Sequence, residues 1–269
     1  MSEPRTLHSA LLQKIPDLRH AFTTRRGGVS QGPFAALNLK FPTTELDERG
    51  GNERVLSNRQ GLSELLGFEL SQWVACQQVH GKHVYPATEA DAGRGAFAQD
   101  DGIPDCDGLV SAIPGLCLMV MVADCYPLIL ADPIQKVVAT VHSGWRGTQQ
   151  KIAAEALRLM QSHYHTRPED VIAAIGPGIG FASFEVGAEV VQAFADQIDI
   201  RDPEWVQAQA EKFRLNLPAI LRQQLLNDGV PARQIDVLAE DTFANPDFFS
   251  YRREQGLTGR QAALVGWVK

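Results

Sequence analysis

Cysteine is scarce in this sequence. Four cysteines, Cys76, Cys106, Cys117 and Cys125, are spread over 269 residues, and no two of them form a Cys-x-x-Cys pair. The missing pair argues against a structural four-cysteine zinc site. A chain of this length does not need covalent staples, so we expect no disulfide framework. Cys117 lies inside an apolar run and is predicted to be an ordinary core residue.

Positive charge and long apolar runs are also missing. The formal net charge is −7, which gives no reason to expect binding to nucleic acid or to an anionic membrane. The most apolar stretch, residues 109–123, is interrupted by Ser111, Pro114 and Gly115 and is too short to cross a bilayer. Because the first residues lack the basic-then-apolar layout of a signal peptide, we expect a cytoplasmic protein.

The composition is that of a globular protein with a core, since 44% of the residues are hydrophobic and 21% are charged. No repeat, low-complexity tract or linker divides the chain, so we expect residues 1–269 to form one domain. Helical and extended patterns are mixed without strict β-α-β alternation, which predicts an α+β fold. The predicted helices outside the central region are 52–67, 185–195 and 216–228, and the predicted strands are 20–24, 73–79, 171–175, 235–239 and 262–268.

The chemistry is concentrated between residues 115 and 148. Three short runs there, 116–123, 127–131 and 136–141, are rich in Val, Ile, Leu and Met and predict strands. The Asp-Pro-Ile-Gln sequence at 132–135 is typical of a turn. The last two strands are therefore predicted to pair as a hairpin in which Asp132 faces Gln135. The same register places Cys125 opposite His142, where one ion could bridge a thiolate and an imidazole.

A glycine-rich segment follows His142. The sequence SGWRGT at 143–148 leads into a predicted helix over 149–163. The start of a helix presents free N–H groups and a positive dipole end, and Arg146 adds a fixed cation. We therefore predict an anion site next to the possible metal site.

His80 is the third candidate ligand. A lone histidine is more often a core or surface residue than a ligand, and nothing local to His80 decides between these roles. Two histidines and one cysteine would leave one tetrahedral position open, as in catalytic zinc sites. Asp124 would then be a general base or would orient a ligand, or it only forms a turn. Cys125 has an alternative role as a nucleophile, because ligand and nucleophile both need a deprotonated sulfur.

Five ordered motifs resemble those of one family. They are TRRGGVS at 24–30, QQVHG at 77–81, ADC at 123–125, HSGWRG at 142–147, and FSYRR with TGR at 249–253 and 258–260. Together they make the chain similar to the YfiH-like, laccase-domain family, which is also called the polyphenol oxidase or peptidoglycan editing factor family. The resemblance runs from about residue 20 to the end.

The resemblance implies a layered α/β/β/α fold and a zinc site formed by His80, Cys125 and His142. Copper is an alternative ion, since divalent copper outcompetes zinc for most such ligands. The implied activity is purine nucleoside phosphorolysis of adenosine, inosine and methylthioadenosine, with adenosine deamination as well. The implied partners are purine nucleosides and phosphate, bound by a monomer or a small homo-oligomer.

Phosphorolysis requires a phosphate held beside the sugar, and the guanidinium fork matches phosphate oxygens. Each candidate arginine has a structural ion pair as its alternative role. The predicted phosphate or substrate contacts are Arg25, Asn38, Arg146 and Arg252. The predicted catalytic residues are His80, Cys125, His142 and Asp124.

The chain departs from the family pattern in three places. After Asn38 the sequence KFPTT at 40–44 replaces the usual His-Val-Gly-Asp run, FAS at 181–183 replaces a proline and cysteines, and Asp241 stands near the position where many members carry a cysteine before a threonine. The three metal-ligand candidates are intact. The altered loops are therefore expected to affect the substrate preference.

Three other functions fit the same residues. The first is a cysteine hydrolase that acts on a peptidoglycan precursor, with Cys125 as nucleophile and His142 as base. The second is a copper-dependent polyphenol oxidase, but a multicopper enzyme needs many histidines and this chain has seven. The third is a non-enzymatic metal-binding protein, which an open coordination position argues against.

Overall fold

The computed structural model describes residues 3–42 and 51–269. The strands, in chain order, are β1 (Thr6–Leu7), β2 (Leu18–Thr23), β3 (Trp73–Ala75), β4 (Val84–Pro86), β5 (Gly108–Ser111), β6 (Cys117–Val122), β7 (Tyr126–Asp132), β8 (Val137–Ser143), β9 (Ile172–Ile175), β10 (Glu185–Val186), β11 (Val206–Gln209), β12 (Lys212–Leu215), β13 (Ile235–Val237) and β14 (Gln261–Trp267). The α-helices are α1 (Gly51–Leu66), α2 (Trp145–Gln149), α3 (Ile152–Tyr164), α4 (Ala188–Gln192) and α5 (Leu217–Asn227).

Two large mixed sheets form the centre of the molecule. One has five strands in the order β1-β2-β14-β6-β3, and the other has six strands in the order β13-β9-β7-β8-β5-β4. The pairs β3–β6, β4–β5 and β13–β9 are parallel, whereas the other pairs in these sheets are antiparallel. A separate three-stranded sheet has the order β10-β12-β11.

Side chains on β6 show how the layers are stacked. Leu118 and Val120 point into the core between the two large sheets. Met119 and Met121 alternate with them and pack on the opposite face, in the same cluster as Leu62 of α1. Because successive side chains of a strand point to opposite faces, a strand covered on both sides must be apolar at every position, which is why β6 reads as a continuous hydrophobic run.

The six-stranded sheet is covered in the same way. Ile129 and Ala131 of β7 lie between the sheets, whereas Leu128 and Leu130 join the outer cluster that includes side chains of α3 and α5. The order of layers is therefore helix, sheet, sheet, helix. The predicted α+β fold with α/β/β/α layers is confirmed. None of the described helices is both long and apolar enough to cross a membrane.

The predicted hairpin exists, but its register is wrong by two. Asp132 pairs with Val137, and Pro127 pairs with His142. The turn is longer than predicted because Asp132 Oδ1 accepts hydrogen bonds from the backbone N–H groups of Ile134 and Gln135, at 2.8 and 3.0 Å. The turn then closes through a residue with φ of 53°, at position 136. Cys125 therefore precedes β7 and does not face His142 directly.

Other predicted elements are also corrected. The predicted helix 149–163 is two helices, α2 and α3, separated at Lys151, which has φ of 59°. The predicted helix 185–195 starts as strand β10 and contains only the short α4. The predicted strand 73–79 ends at Ala75. Residues 43 and 44 of the altered KFPTT run lie outside the described residues.

Candidate metal centre and its cavity

Three separate segments bring His80, Cys125 and His142 together. His80 lies in the turn region after β3 and has φ of 61°. Cys125 immediately precedes β7, and His142 lies near the end of the neighbouring strand β8, so both are at the same end of the hairpin. One ligand atom from each residue lies within 4.8 Å of the others. The His80 and His142 rings are nearly perpendicular, with centroids 4.7 Å apart.

The carboxylate of Asp107 organises this cluster from behind. It is fully buried, and its Oδ1 accepts from His142 Nδ1 at 2.7 Å and from the His80 backbone N–H at 3.0 Å. Its Oδ2 accepts from the backbone N–H groups of Gly81 and Val79, at 2.7 and 3.2 Å. Burial opposes ionisation of Asp107, but the hydrogen bonds from His142 and the backbone outweigh it, so the pKa of this carboxyl is lowered. His142 therefore keeps its Nδ1 proton and has Nε2 available as a ligand.

Cys125 and His142 also influence each other's ionisation. Burial disfavours the Cys125 thiolate, but the His142 and His80 imidazoles stabilise it more strongly and lower its pKa to about 6. Burial also disfavours the charged form of His142, yet the Cys125 thiolate and Asp107 raise the pKa of this imidazole to about 9. In the metal-free protein, therefore, the pair is a thiolate and an imidazolium near neutral pH.

Gly144 gives the Cys125 sulfur its space. A Cβ atom at this position would lie 2.9 Å from Cys125 Sγ and 3.5 Å from His80 Cδ2. The distance to Cys125 Sγ is shorter than any normal van der Waals contact, whereas the distance to His80 Cδ2 is an ordinary contact. The glycine that follows β8 is therefore needed for close packing against the candidate ligands.

The three residues fit a zinc ion. Tetrahedral zinc with bond lengths of about 2.0–2.3 Å needs ligand atoms roughly 3.3–3.8 Å apart, and the separations of up to 4.8 Å require only small side-chain adjustments. The donor set of two imidazoles and one readily ionised thiol suits a borderline-soft divalent cation. In the part of the chain that the structure describes, this is the one His, Cys, Asp and Glu cluster with such spacing. A second or third copper centre has no comparable cluster among those residues.

The cluster opens into a cavity of about 470 Å³. Apolar side chains form part of its wall, among them Ile179 and Phe184, and the exposed ring of Tyr251 lies at the same cavity. The cavity also has basic side chains, from Lys40, Arg252 and Arg260. A cavity with a metal-ligand cluster, an apolar wall and several cations can hold a flat apolar ring together with an anion.

Asp124 also lines the cavity. It has φ of 81°, an uncommon conformation for a residue with a side chain. Its Oδ1 accepts from the hydroxyl of Thr242 at 2.8 Å, and its Oδ2 accepts from the backbone N–H of Arg252 at 2.7 Å. The carboxylate therefore links the turn before Cys125, through hydrogen bonds, to the segments that contain Thr242 and Arg252.

Two of the four predicted phosphate contacts, Arg252 and Arg146, are exposed. Arg252 lines the cavity, and both of its terminal nitrogens donate to the backbone carbonyl of Glu185 at 3.1 Å. Arg146 lies in α2, stacks on its neighbour Trp145 at 4.3 Å from the ring centroid, and does not line this cavity.

The other two, Arg25 and Asn38, lie behind the cavity wall. Arg25 Nη1 pairs with Glu254 at 2.7 Å, and its Nε donates to the carbonyl of Ala35. Asn38 Oδ1 accepts from the backbone N–H groups of Lys40 and Arg260, at 3.1 and 2.9 Å. Neither of these two side chains, nor that of Arg146, lines the cavity. Direct phosphate binding by Arg25, Asn38 and Arg146 stays a prediction.

The sequence reasoning missed three residues of the site. Asp107 directly precedes β5, and a carboxylate in this position could have been recognised as a partner for a ligating histidine. Arg260 stands in the TGR motif that supported the family resemblance, and Lys40 belongs to the altered run after Asn38. Arg260 and Lys40 line the cavity from loops, and no periodic pattern predicts where a loop will lie.

A family model described as "Multi-copper polyphenol oxidoreductase laccase" matches residues 19–268, so the chain belongs to this family. The predicted resemblance to the laccase-domain family is confirmed.

Relatives and solved structures agree with this assignment. Over 248 residues, the chain is 37% identical to "Purine nucleoside phosphorylase YlmD" of Geobacillus stearothermophilus, covering 91% of this chain and 88% of the relative. It is 38% identical over 259 residues to "Purine nucleoside phosphorylase" of Deinococcus radiodurans, covering 95% and 92%. The structure of the hypothetical protein YfiH from Bacillus licheniformis is similar over 100% of both chains, with a TM-score of 0.90 and 30% identity. The structure of YlmD from Geobacillus stearothermophilus gives a TM-score of 0.87 at 35% identity, over 95% and 93% of the two chains.

Proposed function

We propose that this protein is a zinc-dependent purine nucleoside phosphorylase that accepts adenosine, inosine and methylthioadenosine and also deaminates adenosine. The observation that carries the proposal is the His80–Cys125–His142 cluster at a cavity that has both apolar and basic side chains. The names of the relatives support the phosphorylase activity. A cytoplasmic enzyme that works as a monomer or a small homo-oligomer is part of the same proposal.

The cavity offers different surfaces to the two substrates. Phe184 is buried, and its ring lies beside the Arg252 guanidinium at 6.0 Å. Together with Ile179 it provides an apolar surface for the purine, and Tyr251 can stack on the base. The cations of Lys40, Arg252 and Arg260 favour an anion in the same cavity.

In phosphorolysis, a phosphate oxygen forms a bond to C1′ of the ribose, and the bond from C1′ to the purine nitrogen breaks. The bonding electrons leave with the purine, which takes up a proton, and the products are the free base and ribose 1-phosphate. Positive charge develops on the ribose during this step, so a phosphate held beside C1′ stabilises the transition state. When bound, zinc would supply Lewis-acid chemistry at the ligand cluster.

Asp124 has two proposed roles. It could carry a proton, as predicted, or orient the residues around the cavity. Both of its oxygens already accept hydrogen bonds, from Thr242 and from the Arg252 backbone. These contacts support the orienting role more directly than proton transfer.

A cysteine hydrolase is the second candidate function. The lowered pKa of Cys125 and the adjacent His142 are also what a thiolate nucleophile requires. Zinc bound to Cys125 at a 1:1 ratio in the active protein would exclude this role, and a covalent adduct on Cys125 during turnover would support it.

A product assay tests the main proposal. Zinc-loaded protein would be incubated with adenosine, inosine or methylthioadenosine, with and without phosphate, and the products would be separated by chromatography and identified by mass. We expect free base and the sugar 1-phosphate only when phosphate is present, and inosine from adenosine in either case. No consumption of any nucleoside by folded, zinc-loaded protein would reject the proposal.

A further inference from the structure

We propose that Arg260 is the residue that binds phosphate in the cavity, and that Asn38 and Arg25 hold Arg260 in place without contacting the anion. The choice of phosphate as the anion rests on the proposed function. The choice of Arg260 rests on how this guanidinium is held, compared with the other basic groups nearby.

The Arg260 guanidinium lies over the Tyr251 ring, 5.7 Å from its centroid, and forms no ion pair with a described residue. Its side chain lines the cavity and is partly buried. Its Nη1 donates to the carbonyls of Thr258 and Gly259, at 3.0 and 2.9 Å. Among residues 3–42 and 51–269, no carboxylate lies within ion-pair distance of this guanidinium, and no acceptor is bonded to its Nε or Nη2.

A cation removed from water without a partner is costly. Burial is the largest influence on the Arg260 guanidinium and lowers its pKa, whereas the nearby Cys125, Tyr251 and Asp124 favour its charged form. The two free donor groups can form charge-assisted hydrogen bonds to an anion that enters the cavity. Phosphate offers several acceptor oxygens in the geometry that a guanidinium fork requires.

The other arginines near the cavity are already bonded to protein groups. Arg25 is paired with Glu254, and Arg252 places both terminal nitrogens on the Glu185 carbonyl. These contacts leave an anion only the remaining N–H groups of each guanidinium, and at Arg25 and Arg252 none of the bonded nitrogens is wholly free. At Arg260 the carbonyl contacts use only Nη1, so the fork formed by Nε and Nη2 is unbonded.

Asn38 and Arg25 are connected to Arg260 through separate contacts. Asn38 Oδ1 accepts from the Arg260 backbone N–H. Arg25 pairs with Glu254, which also accepts from the hydroxyl of Thr258, and the Thr258 carbonyl in turn accepts from Arg260 Nη1. These contacts fix both the backbone and the side chain of Arg260, so two of the residues predicted to touch phosphate become positioning residues.

The test is phosphate binding to zinc-loaded protein, measured by titration calorimetry and by ³¹P NMR. The variants are Arg260→Gln and Arg260→Lys, with Arg201→Gln as a matched control. The Arg201 side chain is 87% exposed and does not line the cavity. Zinc content would be measured for each variant. We expect Arg260→Gln to weaken phosphate binding by at least about tenfold, because it removes charge-assisted hydrogen bonds, with zinc content unchanged. We expect Arg201→Gln to bind phosphate like the parent protein.

Equal phosphate affinity in the parent protein and Arg260→Gln would overturn the assignment, as would a parent protein that binds no phosphate. If Arg260→Gln does not fold, Arg260→Lys decides: the ammonium lacks the fork, so we expect weaker phosphate binding, and an unchanged affinity overturns the proposal. Failure of the proposed function looks different, since nucleosides would then remain uncleaved while phosphate still binds through Arg260.

The same anion chemistry could come from a nucleotide, so the titrations include adenosine 5′-monophosphate and adenosine. Binding of free phosphate alongside adenosine supports the assignment. Tight binding of the monophosphate that depends on Arg260, with no binding of free phosphate, overturns it.

The positioning role predicts that Arg25→Gln raises the phosphate KM several-fold without raising the nucleoside KM. Arg25→Lys can still pair with Glu254, so this variant should restore the phosphate KM of the parent protein. Equal increases in both KM values would contradict that role.

Discussion

Asp107 connects the two histidines of the candidate metal centre. Its Oδ1 accepts hydrogen bonds from both His142 Nδ1–H and the backbone N–H of His80. One carboxylate thus sets the orientation of the His142 ring and the conformation of the turn that carries His80. Because ligand orientation is fixed before an ion binds, the affinity of the centre depends on a residue that does not touch the ion.

Replacement of this carboxylate tests the idea. Asp107→Asn keeps the size of the side chain but offers only one acceptor oxygen where the structure uses two. We expect zinc affinity to fall by about 10–100-fold, measured by competition with a chromophoric chelator. Asp105→Asn is the control, because it makes the same chemical change at an exposed position two residues away. Equal zinc affinity in the parent protein and Asp107→Asn would show that this carboxylate does not organise the centre.

The lowered pKa of Cys125 gives a pH-dependent prediction for a single residue. Its pKa is lowered to about 6 in the metal-free protein, from an ordinary value of 9.0. A thiol reacts with iodoacetamide only as the thiolate, so the alkylation rate should rise through about pH 6 and be lost below it. Mass spectrometry of the alkylated peptide would give the midpoint. Protein unfolded in denaturant should instead react with a midpoint near 9, and a midpoint near 9 in folded, metal-free protein would contradict the thiolate–imidazolium pair.

At the scale of elements, two loops next to the cavity are hydrogen-bonded to each other. Two of the three departures from the family pattern meet in space: Asp241 Oδ2 accepts from the Ser183 hydroxyl at 2.5 Å, and its Oδ1 accepts from the Gly180 backbone N–H at 2.9 Å. The loop that Asp241 holds supplies Ile179 and Phe184 to the cavity. Two of the altered segments are therefore hydrogen-bonded to each other next to the apolar wall of the cavity.

We expect Asp241→Ala to raise the KM for nucleosides by about tenfold, because the loop behind the apolar wall loses several hydrogen bonds of about 1 kcal/mol each. The phosphate KM should change little, since the loop is not bonded to Arg260. Steady-state kinetics with each substrate varied in turn would measure both values. Ser183→Ala removes one of these bonds and should give a smaller increase in the same direction. If Asp241→Ala left the nucleoside KM unchanged, the loop would not contribute to nucleoside binding.

The predicted elements were most accurate where a hydrophobic pattern is long, as in α1 and α5, which the sequence placed to within a residue at each end. The hairpin was predicted, but its register was not, because Asp132 bonds to the turn and a non-glycine residue with positive φ closes it. Such a residue has no distinctive sequence pattern. The same difficulty hid the break at Lys151 between α2 and α3.

The sequence pointed to some residues of the candidate site and missed others, and the difference has a physical reason. The sequence predicts the hairpin that carries Cys125 and His142, although not its register, whereas the ligand role of His80 came from the family resemblance. Arg260 and Asp107 act through contacts between segments that are far apart in the chain, such as the 222 positions between Asn38 and Arg260. Only the folded structure shows that Arg260 lines the cavity and pairs with no described carboxylate, so the predicted arginines and the arginine now proposed are different residues.

At the scale of the whole molecule, the two large sheets share a core, and strands from the first and last parts of the sequence meet in one of them. β2 and β14 pair over five residues, which brings the first and last parts of the sequence together. Such long-range pairing is compatible with the prediction of one domain over residues 1–269, which stays a prediction.

Differential scanning calorimetry would test that prediction. We expect one cooperative unfolding transition for the metal-free protein, with calorimetric and van't Hoff enthalpies in agreement. Addition of zinc should raise the transition temperature without dividing the transition, because an ion that binds only the folded state stabilises all of it. Two separate transitions, of which only one responds to zinc, would contradict a single domain.

The central claim is that the cavity transfers a sugar from a purine to phosphate, and ³¹P NMR follows this transfer directly. Zinc-loaded protein would be mixed with inosine and phosphate, and the phosphate signal would be recorded while the free base is measured by chromatography. The account predicts a new sugar-phosphate signal that grows in a 1:1 ratio with released hypoxanthine. Release of the base with free ribose and an unchanged phosphate signal, or no release at all, would contradict it.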